Sequence, residues 1–194
     1  MRRVFIGLFI ALVAFVGSAV FAQGVDKKEA EAPSKKEAAL EAEVVDKVKL
    51  LLSGYEYFPT RADLTRATPR AYEALEAIAE DGAALPSMRT RALDALGLYD
   101  EKAEVALILE RILAEEKLED VYLRHAVTSS MKAFGQQALP WVAPFLSHTD
   151  VQLRLSAVYA VGHFGGSVGK EVLQQRIEVE RDKLVLERIQ RFSF

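Results

Sequence analysis

Cysteine is absent from all 194 residues of the chain. This absence excludes disulfides, zinc-thiolate sites, cysteine nucleophiles and a lipid attached to an N-terminal cysteine. Histidine is scarce, and His125, His148 and His163 have no second histidine or carboxylate four positions later to form a metal face on one helix. The sequence therefore predicts structural or surface histidines, with no metal site, no cofactor and no catalytic residue.

Positive charge is also in short supply. Lysine and arginine number 25 against 28 aspartates and glutamates, so the formal net charge is −3. Proteins that bind nucleic acids usually carry a basic face, and no Lys/Arg stripe is found here. We therefore do not expect a nucleic-acid partner. With 51% hydrophobic residues the chain has enough apolar material to bury a core.

The N-terminal segment 1–22 has the pattern of an export signal. Arg2 and Arg3 precede an apolar run over 4–16, and small residues follow. Ala22 lies where a signal peptidase requires a small side chain, so cleavage is predicted between Ala22 and Gln23. The mature protein is then expected to be periplasmic or secreted.

An uncleaved membrane anchor is the alternative for the same segment. The apolar stretch 4–22 is close in length to the ~20 residues that span a bilayer. In that case the protein would be held in the inner membrane and face the periplasm. If cleavage occurs, the loss of Arg2 and Arg3 leaves 23 basic against 28 acidic side chains, a net charge of −5.

The segment 23–37 is rich in charges of both signs and contains no aromatic residue, which is typical of a flexible linker. The segment 38–67 is interpreted as a capping helix and a connector. Leu40, Val44, Val48 and Leu51 recur at helical spacing, and Gly54 is a natural helix end.

An internal repeat follows. The segment Asp120–Arg124 (DVYLR) matches Asp150–Arg154 (DVQLR) at an offset of thirty positions. The offset persists to Phe134-Gly135 and Phe164-Gly165. A related copy begins at Met88, with Arg89 in the position of Arg124 and Arg154, and a degraded copy ends the chain. The expected inward positions of the two best copies are Leu123, Val127, Ser130, Met131, Phe134, and Leu153, Ala157, Ala160, Val161, Phe164.

Each of these helical segments follows another one. Thr68 and Pro69 are expected to start the first pair, and the pairs are predicted near 69–99, 101–134, 136–164 and 168–192. No stretch shows the alternation of a strand, so the predicted fold class is all-α. A repeat period near thirty favours an α-solenoid of about four helix pairs, covered at its start by the capping helix.

The run Ala138–Leu146 (ALPWVAPFL), followed by Asp150 and Arg154, resembles the HEAT repeat, especially its short phycobilisome-lyase-like form. The resemblance covers roughly residues 69–192, within a predicted repeat domain 68–194, and implies an armadillo-like helical solenoid. It also implies that Asp120, Arg124, Asp150 and Arg154, with Arg89, form a structural ladder between repeats. Leu186 replaces the arginine in the last copy, as expected of a terminal unit.

One serine motif resembles a catalytic pattern. Gly165–Gly169 (GGSVG) fits the G-x-S-x-G pattern of a hydrolase elbow, which requires a strand before the serine and a helix after it. Here the motif joins two predicted helices, so Ser167 is expected to cap a helix. The same loop followed by Lys170 lacks the spacing of a phosphate-binding loop.

Aromatic residues are the remaining candidates for contact with a partner. Exposed aromatic side chains dominate binding hot spots, and Trp141, Tyr55 and Tyr57 are the candidates here. Packing is the alternative for each of them. Trp141 lies between two prolines, and Tyr57 lies in the connector that would close the end of the repeat array.

The sequence therefore predicts a non-catalytic scaffold in the bacterial envelope that binds another protein through the second helices of its pairs. The resemblance also allows an enzyme, such as a lyase or chaperone-type enzyme acting on a bound chromophore or protein. A nucleic-acid-binding HEAT-like protein is the third alternative, which the acidic composition disfavours.

Overall fold

The computed structural model describes residues 35–54, 56–115 and 117–192. Within these ranges every regular element is a helix, which confirms the all-helical prediction. The predicted signal peptide with its cleavage point at Ala22 and Gln23, the linker up to residue 34, and Tyr55 lie outside the described residues. The helices are α1 (Lys35–Leu52), α2 (Arg61–Ala67), α3 (Ala71–Glu80), α4 (Pro86–Leu96), α5 (Ala103–Glu115), α6 (Asp120–Phe134), α7 (Leu139–Val142), α8 (Val151–Phe164), α9 (Gly166–Ile177) and α10 (Lys183–Gln190).

The predicted connector contains a helix, α2, that the sequence pattern did not reveal. Its start is a capping box: the Thr60 hydroxyl accepts the Asp63 N–H, and the Asp63 carboxylate accepts the Thr60 N–H at 2.9 Å. Leu64 is its only buried residue. A helix this short with one buried side chain has no periodicity to detect.

The first pair was expected to start at Thr68 and Pro69, whereas α3 begins at Ala71, two residues after Pro69. Thr68 instead ends α2, since its N–H donates to the carbonyl of Leu64 at 3.0 Å. The next helix, α3, begins shortly after Pro69, with Arg70 at its N-cap. Thr and Pro favour a helix start, but the same residues also serve to end the preceding helix.

The proline-containing segment 135–147 is less regular than the single helix predicted for it. A 3₁₀ turn over Gly135–Ala138 leads into α7, and a second 3₁₀ turn covers Ala143–Ser147. Pro140 and Pro144 lie near the starts of α7 and the second turn, because each proline lacks the N–H that a continuous helix would require.

Packing follows the order of the chain. The helices α4, α6, α8 and α10, called second helices below, contact one another in sequence. Each also contacts the helix before it: α3 on α4, α5 on α6, α7 and the 3₁₀ turn that follows it on α8, and α9 on α10. The helix α1 packs against α3 and α4. Fully buried alanines on the second helices, namely Ala92, Ala95, Ala157 and Ala160, allow this close approach.

The turn between α8 and α9 explains the glycines of the serine motif. A Cβ on Gly165 would lie 2.5 Å from the carbonyl oxygen of Val161 and 2.8 Å from the Cα of Gly169. Ser167 lies exposed in the first turn of α9, and α9 has no side-chain cap, so the prediction that Ser167 caps a helix is wrong. The motif therefore serves close backbone packing.

Within the described residues, none of the helices combines the length and apolar composition needed to cross a bilayer.

Candidate binding surface

An open groove runs along the second helices. Two adjoining concavities, of about 440 and about 220 Å³, share Thr128 of α6 and Ser156 of α8. Because all their lining residues belong to α4, α6, α8 and α10, they are treated as one feature, the second-helix groove. It is lined by Asp94, Arg124, His125, Thr128, Gln152, Leu155, Ser156, Tyr159 and Arg188.

An aspartate–histidine pair forms one end of the groove. His125 Nδ1 on α6 lies 2.8 Å from Asp94 Oδ1 on α4, and both side chains are a little over one-third exposed. With the Nδ1 proton donated to the carboxylate, Nε2 is left as the second hydrogen-bonding atom of the ring. The pair therefore presents an oriented imidazole to the groove.

Sequence spacing missed this pair because it was sought within one helix. The carboxylate precedes the histidine by thirty-one positions, which is close to the repeat offset of thirty. Residues one repeat apart lie side by side on neighbouring helices of a repeat array, so a comparison at that offset was the available signal.

The pair lacks the third member of a catalytic triad. Among the described residues, no serine or threonine hydroxyl makes a hydrogen bond to His125. The nearby Thr128 hydroxyl donates instead to the carbonyl of Arg124, at 2.9 Å. Nucleophilic catalysis requires a hydroxyl bonded to the base, so this geometry fits recognition better than acyl transfer.

Aromatic rings form the other end of the groove. Tyr159 is 38% exposed, and its ring centroid lies 4.4 Å from that of His163. His163 in turn meets the Phe192 ring edge-on at 4.9 Å, above Gly162, whose missing side chain leaves room for that ring. Tyr159 is thus an exposed ring supported from behind, which lowers the entropy lost when it binds.

Two of the predicted ladder arginines hold turns together. Arg89 is buried, its Nε donates to the carbonyl of Ala79 at 3.0 Å, and its guanidinium carbon lies 3.9 Å from the ring centroid of Tyr122. Arg154 donates to the carbonyls of His148 and Thr149 at 2.7 and 3.0 Å. Both guanidiniums are therefore held by backbone carbonyls of the fold.

The acidic half of the ladder differs from the prediction. Asp150 caps its own helix by accepting the Leu153 N–H at 2.7 Å, and Asp120 is exposed at the start of α6. In the part of the chain that the structure describes, no ion pair joins either aspartate to an arginine. A short side chain at a helix start is satisfied by the free N–H groups of that helix, so it does not reach the next repeat.

Glu180 is the acid that pairs with Arg154 instead. Its side chain is only 3% exposed and lies 3.4 Å from Arg154 Nε and 2.7 Å from Arg176 Nη2. Burial alone would raise its pKa. The N–H groups of Asp182 and Arg181 and the guanidinium of Arg176 outweigh burial and lower the pKa of Glu180 to about 2.

Arg124 behaves differently from its repeat equivalents. It holds the same repeat position as Arg89 and Arg154, yet it lies half-buried in the second-helix groove. Unlike Arg89 and Arg154, its guanidinium makes no hydrogen bond to a carbonyl within the described residues. Arg124 and its neighbour His125 both line the groove, and His125 is bonded to Asp94.

The chain matches no protein-family model, no curated protein and no solved structure. Over residues 35–54, 56–115 and 117–192, no three histidines, aspartates or glutamates converge closely enough to hold a metal ion. His148 is used structurally, since its Nδ1 accepts the Asp150 N–H at 3.1 Å.

The predicted aromatic contacts lie outside the groove. Trp141 of α7 is half-buried and meets the Phe134 ring at the end of α6 edge-on, with the ring centroids 6.0 Å apart. Tyr57 is 49% exposed near the start of α2, and its hydroxyl donates to Asp63. Tyr55 lies outside the described residues. Of the three, Tyr57 is the one that the described surface presents to solvent.

Proposed function

We propose that this protein is a non-catalytic scaffold that binds another protein along the second-helix groove. The observation that carries the proposal is the groove itself, which crosses four helices and combines an oriented imidazole, guanidinium groups and an exposed tyrosine. Tyrosine and arginine are the residue types that contribute most often to protein–protein hot spots. A long groove with several polar groups suits a chain-like partner segment better than a small molecule.

The proposed architecture is an α-solenoid of four HEAT-like pairs. Its support is the contact of each second helix with the next and the use of Arg89 and Arg154 to hold the turns. Stacked repeats bury a continuous spine and leave equivalent helix faces side by side, which is how such proteins form extended binding surfaces.

Export to the periplasm or beyond the cell is a further part of the proposal. Its support is the sequence of residues 1–22 alone, with Arg2 and Arg3 before the apolar run. Sequencing the N-terminus of the protein recovered from its native cells is the test. A terminus at Gln23 is expected, whereas a terminus at Met1 in the membrane fraction would replace export with anchoring.

Site-specific photo-crosslinking tests the binding surface. A photoreactive phenylalanine derivative is placed at Gln152, exposed in the groove, or at Leu107, which is 65% exposed on α5. In native envelopes, we expect one recurrent protein to crosslink at position 152 and not at position 107. Equal crosslinking at both positions would reject the groove as the binding surface.

The same preparation separates a scaffold from an enzyme. A lyase-like protein would carry a chromophore or another small molecule in the groove, which absorbance and mass spectrometry of the purified full-length chain would detect. We expect the protein to be recovered with a protein partner alone. Recovery with a bound chromophore and no protein would contradict the scaffold proposal.

A further inference from the structure

Two arginines in the second-helix groove lack a partner. Within the described ranges, no hydrogen bond, ion pair or ring contact involves the guanidinium of Arg124 or of Arg188. The other described arginines with half-buried or buried side chains are engaged by carboxylates or carbonyls: Arg89, Arg91, Arg111, Arg154 and Arg176. Arg181 and Arg191 also lack side-chain partners, but they are exposed to water.

The groove contains little negative charge to balance these two cations. Its one carboxylate, Asp94, is already bonded to His125 at 2.8 Å. A half-buried guanidinium has lost part of its hydration without gaining a partner, which is unfavourable until an anion arrives. The formal net charge of the whole chain is −3, so the groove opposes the sign of the molecule.

From this we propose that the groove binds an extended, acidic peptide segment of the partner, with one carboxylate on Arg124 and another on Arg188. The inference rests on the proposed function and adds the chemistry of the bound segment. Arginine binds carboxylates through paired N–H donors, and such charge-assisted hydrogen bonds are stronger than neutral ones.

The spacing of the two carboxylates follows from the helices. Arg124 is on α6 and Arg188 is on α10, and both helices contact α8 between them. Packed helices lie ~8–10 Å apart, so two spacings measure roughly 16–20 Å. An extended chain advances ~3.3 Å per residue, which places the two acidic residues about five or six positions apart.

Tyr159 defines what lies between the two acids. It is on the intervening helix α8, lines the groove together with Arg188, and exposes 38% of its surface. A ring of this kind packs an apolar or aromatic side chain. The bound segment is therefore acidic at both ends and apolar in the middle.

Other polyanions fit the groove less well. A membrane surface contacts the outermost side chains, whereas Arg124 and Arg188 are half-buried among side chains of three neighbouring helices. Nucleic acids place a phosphate at every nucleotide and usually require a longer basic track than two guanidiniums. A narrow peptide with widely spaced charges can reach both half-buried guanidiniums and matches their number.

Selection from a random dodecapeptide display library tests the inference on the full-length chain. We expect the wild-type protein to enrich peptides with two Asp or Glu residues five or six positions apart. The Arg124→Glu/Arg188→Glu variant should bind those peptides at least tenfold more weakly than the wild-type protein. Both peptide carboxylates would then face a carboxylate instead of a guanidinium. The same variant should instead select peptides that carry Lys or Arg.

The matched control reverses two charges away from the groove. Lys117→Glu/Lys170→Glu changes the net charge by the same amount at two exposed positions and should leave peptide affinity unchanged. Circular dichroism verifies that each variant keeps its helicity. If the glutamate variant fails to fold, Arg124→Gln/Arg188→Gln provides the same comparison without repulsion.

Several outcomes would overturn the inference. They are an absence of enriched peptides, enriched peptides without paired acids, or acidic peptides that bind equally well after charge reversal. Binding to phosphatidylglycerol vesicles that requires Arg124 and Arg188, with no peptide bound, would assign the groove to a membrane instead. If position 152 crosslinks to a protein segment that lacks acidic residues, the proposed function stands and this inference fails.

Discussion

Glu180 is a buried carboxylate that pairs with arginines of two neighbouring helices. It is almost completely buried between Arg154 of α8 and Arg176 of α9, and Arg176 also donates to the hydroxyl of Ser147 at 2.9 Å. A buried carboxylate is tolerable only when all of its lone pairs are engaged. Here the N–H groups of Arg181 and Asp182, both at 2.9 Å, complete that set.

The substitution Glu180→Gln is expected to lower the free energy of unfolding by about 3 kcal/mol, because it leaves two guanidiniums without their shared anion. Urea denaturation at pH 7 is the measurement. Glu178→Gln is the matched control, since Glu178 is exposed two positions away. A loss below about 0.5 kcal/mol, as for an ordinary surface substitution, would show that the buried pair is not stabilising.

The lowered pKa of Glu180, about 2, also predicts how stability depends on pH. A carboxyl whose pKa is lower in the folded state stabilises the protein above its unfolded pKa of ~4.3, and this contribution disappears as the pH falls toward 2. The wild-type chain should therefore exceed Glu180→Gln by about 3 kcal/mol at pH 7 and by little near pH 2. A difference that is constant with pH would contradict the assigned pKa.

At the scale of elements, the turn between α8 and α9 depends on two glycines, Gly165 and Gly169. Gly165 and Gly169 bring the start of α9 within contact of the Val161 carbonyl, and Gly165 N–H donates to that carbonyl at 2.9 Å. The connection between α8 and α9 is so short that their backbones must come into contact. No loop residues lie between them that could shift to make room for a side chain.

Gly165→Ala is expected to cost about 1–3 kcal/mol of folding free energy, because backbone atoms must move to admit the methyl group. Thermal unfolding followed by circular dichroism measures it. Gly82→Ala is the control, since a Cβ at Gly82 would meet no atom within 4 Å and its backbone is not left-handed. Equal melting temperatures for the two variants would rule out this account of the turn.

At the scale of the whole molecule, four second helices contribute to one surface. A carboxylate inserted at its centre tests whether that surface binds the partner. Thr128→Glu combined with Ser156→Glu should reduce partner capture by at least tenfold while helicity is unchanged, because both residues line the groove and neither is part of the core. Partner capture is measured by pulldown with the purified full-length variant.

The matched variant places the same charges outside the groove. Ala103→Glu with Leu107→Glu alters two exposed positions of α5 and should leave partner capture intact. If the α5 variant loses the partner and the groove variant keeps it, the binding surface lies on the first helices of the pairs. The proposed solenoid would then bind through its opposite face.

Local patterns predicted most of the helices. Leu123, Val127 and Met131 repeat at helical spacing, and all three are buried as expected. The two segments that were predicted poorly are those in which local signals compete. Thr68 and Pro69 favour both the end of one helix and the start of the next at the same point. Pro140 and Pro144 interrupt the helix that the apolar residues around them would otherwise form.

The groove was harder to predict, for a physical reason. Arg89, Arg124 and Arg154 are equivalent in sequence, but only the first and last reach backbone carbonyls. Arg89 bonds a carbonyl near the end of α3, and Arg154 bonds those of the turn before α8. Which partner a long side chain meets depends on residues about thirty positions away, as with His125 and Asp94. The repeat offset indicates which residues of neighbouring helices could meet, but which of them form contacts depends on how the helices pack.

By itself, the amino-acid sequence determined the helical class, the repeat offset and the inward residues, because each depends on a periodicity of neighbouring positions. Only the tertiary structure decided which polar side chains form hydrogen bonds or ion pairs and which do not. Glu180 became a buried counter-ion and Arg124 a groove residue through contacts between helices that are far apart in the chain. Burial and pairing are properties of the packed molecule, and the proposed binding surface depends on both.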